Sequence, residues 1–317
     1  MNVKKILIPA SIVVVMAVLV FGYFKIAKQD SPGRVLGASI NSYKDKLITP
    51  TVPPRKKTGV KDPYIAVQSA ILITDDGKYT LFEKNARSPV PIASVTKIMT
   101  ALVATDLYKS GDIIEMKTDY VDPESSVIGL KKGEKMTFVN LLYGLFLNSG
   151  NDAALAISAG KTTEAGFIDL MNKKARKLGL TDSLFKDPAG LNDEGRSSAH
   201  DVALTFSQVL KNELLLKIIG TSEYSITSSD GQFTHQLKNS NRLVTGEIPL
   251  DGVVGGKTGF TYEAGHTLVC AATKDNQTLI SVVLKTYSDT KPASAEQTKR
   301  LLQWGFDSFD FSPQELK

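Results

Sequence analysis

A serine and a lysine lie three residues apart in the segment "PIASVTKIMTALVATDL", residues 91–107. In a helix, side chains three positions apart are neighbours on one face, so Ser94 and Lys97 would lie side by side. Most of the surrounding residues are apolar, which predicts a buried helix. Burial disfavours the charged form of a lysine, and a neutral amine beside a hydroxyl can act as a general base. The alternative is a lysine whose ammonium group extends to the surface.

The Ser-x-x-Lys spacing is not specific by itself. It occurs four times, at Ser94–Lys97, Ser158–Lys161, Ser183–Lys186 and Ser288–Lys291. The last three pairs lie in, or lead into, turn-rich segments, whereas Ser94 lies at the start of a long apolar run. The first pair is therefore the candidate for chemistry.

A second motif is the turn Ser149-Gly150-Asn151, which lies between two apolar helical runs in "FLNSGNDAALAI". Such a turn can project a hydroxyl and an amide side chain into a cleft. An ordinary cap of the following helix, with Asp152 in its first turn, explains the same residues. The sequence leaves both interpretations open.

A third motif is the strand-like segment "GVVGGKTGFT", which contains Lys257 and Thr258. Three glycines, at positions 255, 256 and 259, remove side-chain bulk around this pair and would let a ligand approach the backbone closely. Another "KTG" occurs at residues 57–59, inside a proline-containing segment, and is interpreted as a coincidence.

The letters "GGKT" also occur in nucleotide-binding loops. Such a loop needs a glycine five residues before the second glycine and a helix after the threonine. Asp251 occupies the first position, and more strand pattern follows Thr258. The segment therefore does not predict a nucleotide site.

Strand patterns occur at both ends of the body of the chain, with helical patterns between them. Residues 66–85 and 224–237 predict two hairpins, residues 98–215 are mostly helical in pattern, and strands return from Val253 onward. The segment "SAEQTKRLLQWGFDSF" predicts a closing amphipathic helix. Together these patterns predict an α+β fold, in which N- and C-terminal segments form one antiparallel sheet flanked by helices, with a helical region inserted.

Ser-x-x-Lys, Ser-x-Asn and Lys-Thr-Gly, in this order, resemble the motif set of penicillin-binding proteins and class A β-lactamases. The segments "IASVTKIMTALVA", "LNSGNDAALAI", "DPAGLN" and "GGKTGFTYEAGHTLV" most resemble the low-molecular-mass penicillin-binding proteins, which are D-alanyl-D-alanine carboxypeptidases. The resemblance covers roughly residues 63 to 310. It implies a β-lactamase/transpeptidase-like fold.

The resemblance implies a role for each candidate residue. The catalytic residues would be Ser94 as acylated nucleophile, Lys97 as its base, and Ser149 as proton relay to the leaving amine. The substrate-binding residues would be Asn151, Lys257, Thr258, Gly259 and Phe260. Lys257 and Thr258 would hold a terminal carboxylate by charge-assisted hydrogen bonds. The backbone N–H groups of Ser94 and Phe260 would form an oxyanion hole.

The implied substrate is the peptidoglycan stem peptide ending in D-Ala-D-Ala, and β-lactam antibiotics would acylate the same serine. The motifs do not encode what accepts the acyl group, so an endopeptidase or transpeptidase stays open. A β-lactamase also stays open, although the Glu-x-x-Leu-Asn string of class A enzymes does not occur here. A non-enzymatic wall-binding or penicillin-sensing protein is a further alternative, which would not need a nucleophile and base.

No metal or organic cofactor is expected. The three histidines, His200, His235 and His266, lack the spacing of metal ligands. The lone Cys270 lies in the apolar run "TLVCAA" and is predicted to be a core residue.

The net charge of +5 comes from the N-terminal part of the chain. Residues 1–62 carry 11 basic and 3 acidic side chains, whereas residues 63–317 carry 27 basic and 30 acidic ones. The body is therefore mildly acidic, which argues against a nucleic-acid partner.

The uncharged segment Ile6–Phe24 is long enough to span a bilayer. We expect residues 1–24 to form an uncleaved membrane anchor rather than a cleaved signal peptide, whose apolar region would be shorter. Residues 25–62 contain four prolines and predict a flexible basic tether, and residues 63–317 predict the catalytic domain. Many family members carry a second β-rich domain and a C-terminal membrane helix; we expect neither here, with the N-terminal segment anchoring an extracytoplasmic body to the cytoplasmic membrane.

Overall fold

The computed structural model describes residues 34–35, 53–120, 122 and 125–312. The predicted anchor at residues 1–24 lies outside these residues, as does most of the predicted tether. Among the described residues, none of the helices combines the length and the apolar character that crossing a bilayer needs.

Twelve strands and seven α-helices are named here in chain order. The strands are β1 (Arg34–Val35), β2 (Arg55–Lys56), β3 (Val67–Thr74), β4 (Thr80–Lys84), β5 (Ile113–Glu115), β6 (Lys135–Thr137), β7 (Thr221–Thr227), β8 (Thr234–Lys238), β9 (Val253–Thr261), β10 (Gly265–Lys274), β11 (Gln277–Thr286) and β12 (Phe309–Asp310). The helices are α1 (Lys97–Leu107), α2 (Phe138–Phe146), α3 (Asn151–Gly160), α4 (Glu164–Lys177), α5 (Ala199–Leu210), α6 (Glu213–Ile219) and α7 (Ala293–Ser308). A 3₁₀ turn, Ala93–Thr96, precedes α1.

The central sheet has five antiparallel strands in the order β4-β3-β11-β10-β9. Strands β3 and β11 are almost wholly buried, because α7 packs on one face of the sheet and α5 on the other. Strands from both ends of the sequence thus form one sheet with a helical region between them, which confirms the predicted α+β architecture. Cys270 of β10 is fully buried in the core, as predicted.

Both predicted hairpins are present. Strands β3 and β4 pair across a turn that contains Gly77, and β7 and β8 pair across a turn that contains Gly231. Both glycines have positive φ, a conformation that glycine adopts at little cost. The segment predicted to be mostly helical also contains the short antiparallel pair β5–β6, which the helical pattern did not predict.

The helical region is built around α1. Its residues from Lys97 to Ala104 are all buried, in agreement with an apolar run that has no polar face. Side chains cap four of the surrounding helices: Thr137 caps α2, Thr163 caps α4, Ser198 caps α5 and Asn212 caps α6. Each cap accepts a backbone N–H of the first turn that has no partner within the helix.

The folded part begins earlier than the predicted boundary at residue 63. Strand β2 pairs with β12, and the indole N–H of Trp304 donates to the carbonyl of Lys61 at 3.0 Å. The second "KTG" lies in this segment, where Lys57 Nζ donates to the carbonyl of Asp307 at 2.7 Å. Residues 55–61 therefore pack on the C-terminal helix rather than form part of a tether.

Candidate active site

The 3₁₀ turn before α1 carries Ser94. The α-helix itself begins at Lys97, so Ser94 lies in the turn that leads into the helix rather than in its first α-helical turn. Ala93 has a positive φ of 47°, and a Cβ on Gly190 would lie 1.9 Å from the Ala93 carbonyl oxygen. The loop after Pro188 therefore presses directly on the backbone beside Ser94.

Lys97 is fully buried, which excludes the surface-directed alternative. Its Nζ lies 2.9 Å from Ser94 Oγ, 2.7 Å from Asn151 Oδ1 and 2.7 Å from the carbonyl oxygen of Ala189. Burial lowers the pKa of Lys97 to about 7, although Asp187 and Asp152 partly oppose this shift.

The three contacts of Lys97 fit an ammonium group, and they also fit a neutral amine, which is the form that can act as a base. Asn151 Oδ1 and the Ala189 carbonyl accept the two N–H groups that a neutral amine has. Its lone pair is then directed to Ser94 Oγ, where it can accept the hydroxyl proton. The pair is therefore arranged as a nucleophile and a general base.

The Ser149-Gly150-Asn151 turn projects both polar side chains into the site. Ser149 has a φ of 60°, and its Oγ accepts a hydrogen bond of 2.9 Å from Lys257 Nζ. Gly150 is the N-cap of α3 and no side chain caps this helix, so the interpretation as an ordinary side-chain cap is wrong. The Asn151 amide instead bridges Lys97 and Ser125 Oγ.

Strand β9 brings Lys257 and Thr258 to the same cleft. Lys257 Nζ contacts Ser149 Oγ and the Thr258 carbonyl, each at 2.9 Å, and no carboxylate of the described residues bonds to it. Burial, together with the nearby charge of Lys97, holds the pKa of Lys257 well below its usual range. Thr258 Oγ1 lies 2.6 Å from Ser240 Oγ. A ligand carboxylate would give Lys257 the counter-charge that the protein does not supply.

Gly259 lets β9 lie against the turn that carries Ser94. A Cβ at this position would lie 2.9 Å from the carbonyl oxygen of Ile92 and 3.0 Å from the backbone nitrogen of Ser94. Any side chain here would separate the two segments. The next residue, Phe260, has a half-exposed ring that packs on His266 with 4.5 Å between centroids.

All eight predicted site residues therefore lie at the junction of β9, the 3₁₀ turn and the start of α3. Sequence reasoning missed the groups that hold them in place. Asp152 accepts backbone N–H groups of Ile128, Gly129 and Leu130, and Asp187 accepts those of Ala189, Gly190, Leu191 and Asn192. The Asp-Pro-x-Gly pattern at 187–190 is a turn signal that predicts the second of these loops, but not its contact with Lys97.

The known proteins that are similar to this chain come from one family. A family model described as D-alanyl-D-alanine carboxypeptidase, Peptidase S11, matches residues 56–288. The D-alanyl-D-alanine carboxypeptidase DacF of Bacillus subtilis is 37% identical over 254 residues, which cover 78% of this chain and 64% of the relative. DacC of Escherichia coli is 34% identical over 283 residues, which cover 83% of this chain and 67% of the relative. The chain thus spans about two thirds of the length of these curated relatives.

Solved structures match over most of the chain. A mutant of the Streptomyces K15 DD-transpeptidase has a TM-score of 0.72 and 30% identity, and the match covers 78% of this chain and all of that one. A D-alanyl-D-alanine carboxypeptidase from Mycobacterium tuberculosis has a TM-score of 0.72 and 28% identity, over 83% of this chain and 97% of that one. These matches confirm the β-lactamase/transpeptidase-like fold, and with the family model they show that the chain belongs to the D-alanyl-D-alanine carboxypeptidase family of serine peptidases.

Proposed function

We propose that the protein is a serine-type D-Ala-D-Ala carboxypeptidase, which removes the terminal D-Ala of peptidoglycan stem peptides through an acyl-enzyme on Ser94. The observation that carries this proposal is the 2.9 Å contact between Ser94 Oγ and a buried Lys97 whose pKa is lowered to about 7. A protein that only bound cell-wall peptides would not need this pair.

Acylation uses groups on both sides of Ser94. Lys97 accepts the Ser94 proton while Oγ attacks the carbonyl carbon of the penultimate D-Ala. The backbone N–H groups of Ser94 and Phe260 stabilise the oxyanion; the close packing of Gly259 on Ser94 supports this pairing. Ser149 gives its hydroxyl proton to the leaving amine of D-Ala and regains one from Lys257 Nζ, which donates to it. Water then attacks the ester and gives up a proton, while Lys97 returns its proton to the Ser94 oxygen, which releases the shortened peptide.

The terminal carboxylate of the substrate binds Lys257 and Thr258. It supplies the counter-charge that favours the ammonium form of Lys257 and accepts a hydrogen bond from Thr258 Oγ1. Lys257 Nζ also contacts Ser149 Oγ, so carboxylate binding and proton relay share one group. Asn151 orders the cleft because it holds both Lys97 and Ser125.

The proposal is tested by D-Ala release from diacetyl-Lys-D-Ala-D-Ala. We expect the wild type to release D-Ala and Ser94→Ala to lose the activity. Ser288→Ala is the matched control, because Ser288 has the same spacing to a lysine but lies exposed in a loop. Release that survives in Ser94→Ala would contradict the assignment.

Transfer of the acyl group to an amine is a second candidate reaction. It is supported by the name of a matched structure, the K15 DD-transpeptidase. Addition of an amino-acid acceptor to the same assay would reveal a new peptide product at the expense of hydrolysis.

Rapid penicillin hydrolysis is not expected. The carboxylate oxygens of Asp187 in "DPAGLN" accept backbone N–H groups, so this carboxylate is not free to activate a water molecule. A β-lactamase would require an acyl-enzyme that hydrolyses quickly.

We also propose that Ile6–Phe24 anchors the protein in the cytoplasmic membrane with the catalytic domain outside, where the wall substrate lies. The proposal is supported by the sequence of this segment, which carries no charge and is long enough to span a bilayer. Membrane fractionation, followed by protease treatment of intact spheroplasts, is the test. The catalytic domain should sediment with membranes and be cut from outside; recovery of the full chain in the soluble fraction would contradict the proposal.

A further inference from the structure

A cavity of about 400 Å³ lies beside Asn151 and Ala189, the two groups that accept the N–H groups of Lys97. Tyr120, Leu155 and Glu164 are also among its lining residues. Of the described residues that line it, two are acidic and none is a lysine or arginine. The cavity is therefore adjacent to the catalytic centre and negatively charged.

The position of the cavity relative to Ser94 determines which part of a substrate it can reach. The leaving D-Ala, with its carboxylate, is assigned to Lys257 and Thr258. Hydrogen bonds of 2.9 and 2.7 Å join Ser94 Oγ to Asn151 Oδ1 through Lys97 Nζ, and Asn151 lines the cavity, so the cavity lies close to Ser94. In the proposed reaction the acyl part of the substrate extends away from the leaving group, and this cavity is taken as the space that receives it.

The two acidic side chains of the cavity differ in their contacts. Asp187 is occupied by four backbone N–H groups of its own loop. Glu164 is exposed in the first turn of α4 and has no hydrogen bond or ion pair with the described residues. The helix dipole favours an acidic residue at this position, but the dipole does not explain why the described lining of the cavity lacks a basic side chain that could pair with it. Glu164 is therefore free to pair with a cation that enters the cavity.

A chain of hydrogen bonds links the cavity to the catalytic base. Tyr120 Oη lies 3.1 Å from Ser125 Oγ, which accepts a hydrogen bond from Asn151 Nδ2. Asn151 Oδ1 in turn accepts from Lys97 Nζ. A group bound against Tyr120 thus contacts the same network that orients Lys97.

We propose that this cavity binds the side chain of the residue that precedes D-Ala-D-Ala, and that Glu164 selects a side chain ending in an ammonium group. The inference rests on the proposed carboxypeptidase function, because it takes the direction of the substrate from that reaction. Glu164 is a specificity residue, and it takes no part in proton transfer.

Two substrates that differ in one charge provide the test. Nα-acetyl-Lys-D-Ala-D-Ala has a free ε-ammonium group, whereas diacetyl-Lys-D-Ala-D-Ala does not. The wild type should have the higher kcat/KM for the first peptide, by about five-fold, the upper range for a partly exposed ion pair. The ratio of the two kcat/KM values should fall as salt is raised, because an exposed pair is screened.

Variants separate Glu164 from the general charge of the protein. Glu164→Gln should bring the ratio close to one, and Glu164→Lys should reverse the preference. Glu194→Gln is the matched control, because Glu194 is an exposed acid of the neighbouring loop that does not line the cavity. It should keep the wild-type ratio.

The outcomes distinguish the two proposals. A normal penicillin adduct and normal D-Ala release with equal kcat/KM for both peptides would overturn the subsite alone. A preference that persists in Glu164→Gln, or is lost equally in Glu194→Gln, would also overturn it. Failure of the wild type to form any acyl adduct would overturn the proposed function, and the subsite with it.

Discussion

At the scale of single residues, the site depends on two buried lysines that have different roles. Lys97 is held by two acceptors and faces Ser94, so a pKa lowered to about 7 suits it to act as a base. Lys257 contacts a hydroxyl and a carbonyl, so it is suited to receive an anion. We therefore propose proton transfer for Lys97 and carboxylate recognition for Lys257, because the hydrogen-bond partners of the two lysines differ.

The rate of acylation should follow the titration of Lys97. Because the neutral amine is the active form and its pKa is about 7, the second-order rate constant for penicillin acylation should rise with pH through this value and then level off. Measurement from pH 5.5 to 9 checks this expectation. Lys97→Arg keeps a positive charge over this range and should lower the rate by about 10²–10⁴-fold. A flat pH profile would argue against Lys97 as the base.

Lys257 should discriminate peptides by their terminal charge. The wild type should prefer a peptide ending in D-Ala-D-Ala over the same peptide ending in D-alaninamide, by about ten-fold or more, since a charge-assisted hydrogen bond contributes about 1.5–3 kcal/mol. Lys257→Gln should lose most of this preference, and Lys285→Gln, a half-buried surface lysine of β11, should keep it. The ratio of kcat/KM for the two peptides is the measurement; an unchanged ratio in Lys257→Gln would place the carboxylate elsewhere.

At the scale of elements, the site needs contact between three segments that are distant in sequence. They are the 3₁₀ turn before α1, the start of α3 and strand β9. The carbonyl that accepts from Lys97 lies 92 residues away from it, and the hydroxyl that accepts from Lys257 lies 108 residues away. Strand β9 reaches the 3₁₀ turn only because Gly259 has no side chain. The catalytic geometry is thus a property of how these segments pack.

Gly259→Ala should separate β9 from the nucleophile. A Cβ would lie 2.6 Å from Thr267 Oγ1 as well as 3.0 Å from the Ser94 nitrogen, so the strand or the turn must move. We expect penicillin acylation to slow by about 100-fold, the usual cost of a small displacement of catalytic groups. Gly111→Ala is the control, because a Cβ there meets nothing within 4 Å. Equal acylation rates in the two folded variants would contradict this role for Gly259.

The sequence predicted the motifs but not the residues that hold them. Lys97 and Lys257 stand out because a lysine is unusual in an apolar run or among glycines. Ser94 stands out because it lies three residues before Lys97. Asp152, Asp187, Ser125 and Ser240 give no such signal, since acidic and hydroxyl residues near turns are common. Their importance arises from tertiary contacts, as does the packing of residues 55–61 on α7, which a proline-containing basic segment did not predict.

At the scale of the whole molecule, residues 55–57 contact the C-terminal part of the described chain. Strand β2 pairs with β12, and Lys56 Nζ lies 5.3 Å from the centroid of the Trp304 ring. The amide of Lys57 donates to the carbonyl of Ser308 at 2.9 Å. These contacts join the last residues of the predicted tether to the C-terminal helix and to β12.

Removal of these contacts should lower stability without removing the site. A chain that starts at residue 63 should melt several degrees below one that starts at residue 53, since loss of a few hydrogen bonds costs about 2 kcal/mol. Both chains should form the penicillin adduct, because no site residue lies in the removed segment. Thermal unfolding followed by circular dichroism checks the difference; equal melting temperatures would mean that residues 55–61 contribute little to stability.

The proposed function depends on Ser94 acting as a nucleophile that Lys97 activates. The most direct test is incubation of the protein with a penicillin, followed by intact mass and peptide mapping. We expect one covalent penicilloyl adduct, located on Ser94, which is absent in Ser94→Ala and forms much more slowly in Lys97→Arg. A folded wild-type protein that forms no adduct, or an adduct that persists in Ser94→Ala, would contradict the role proposed for Ser94.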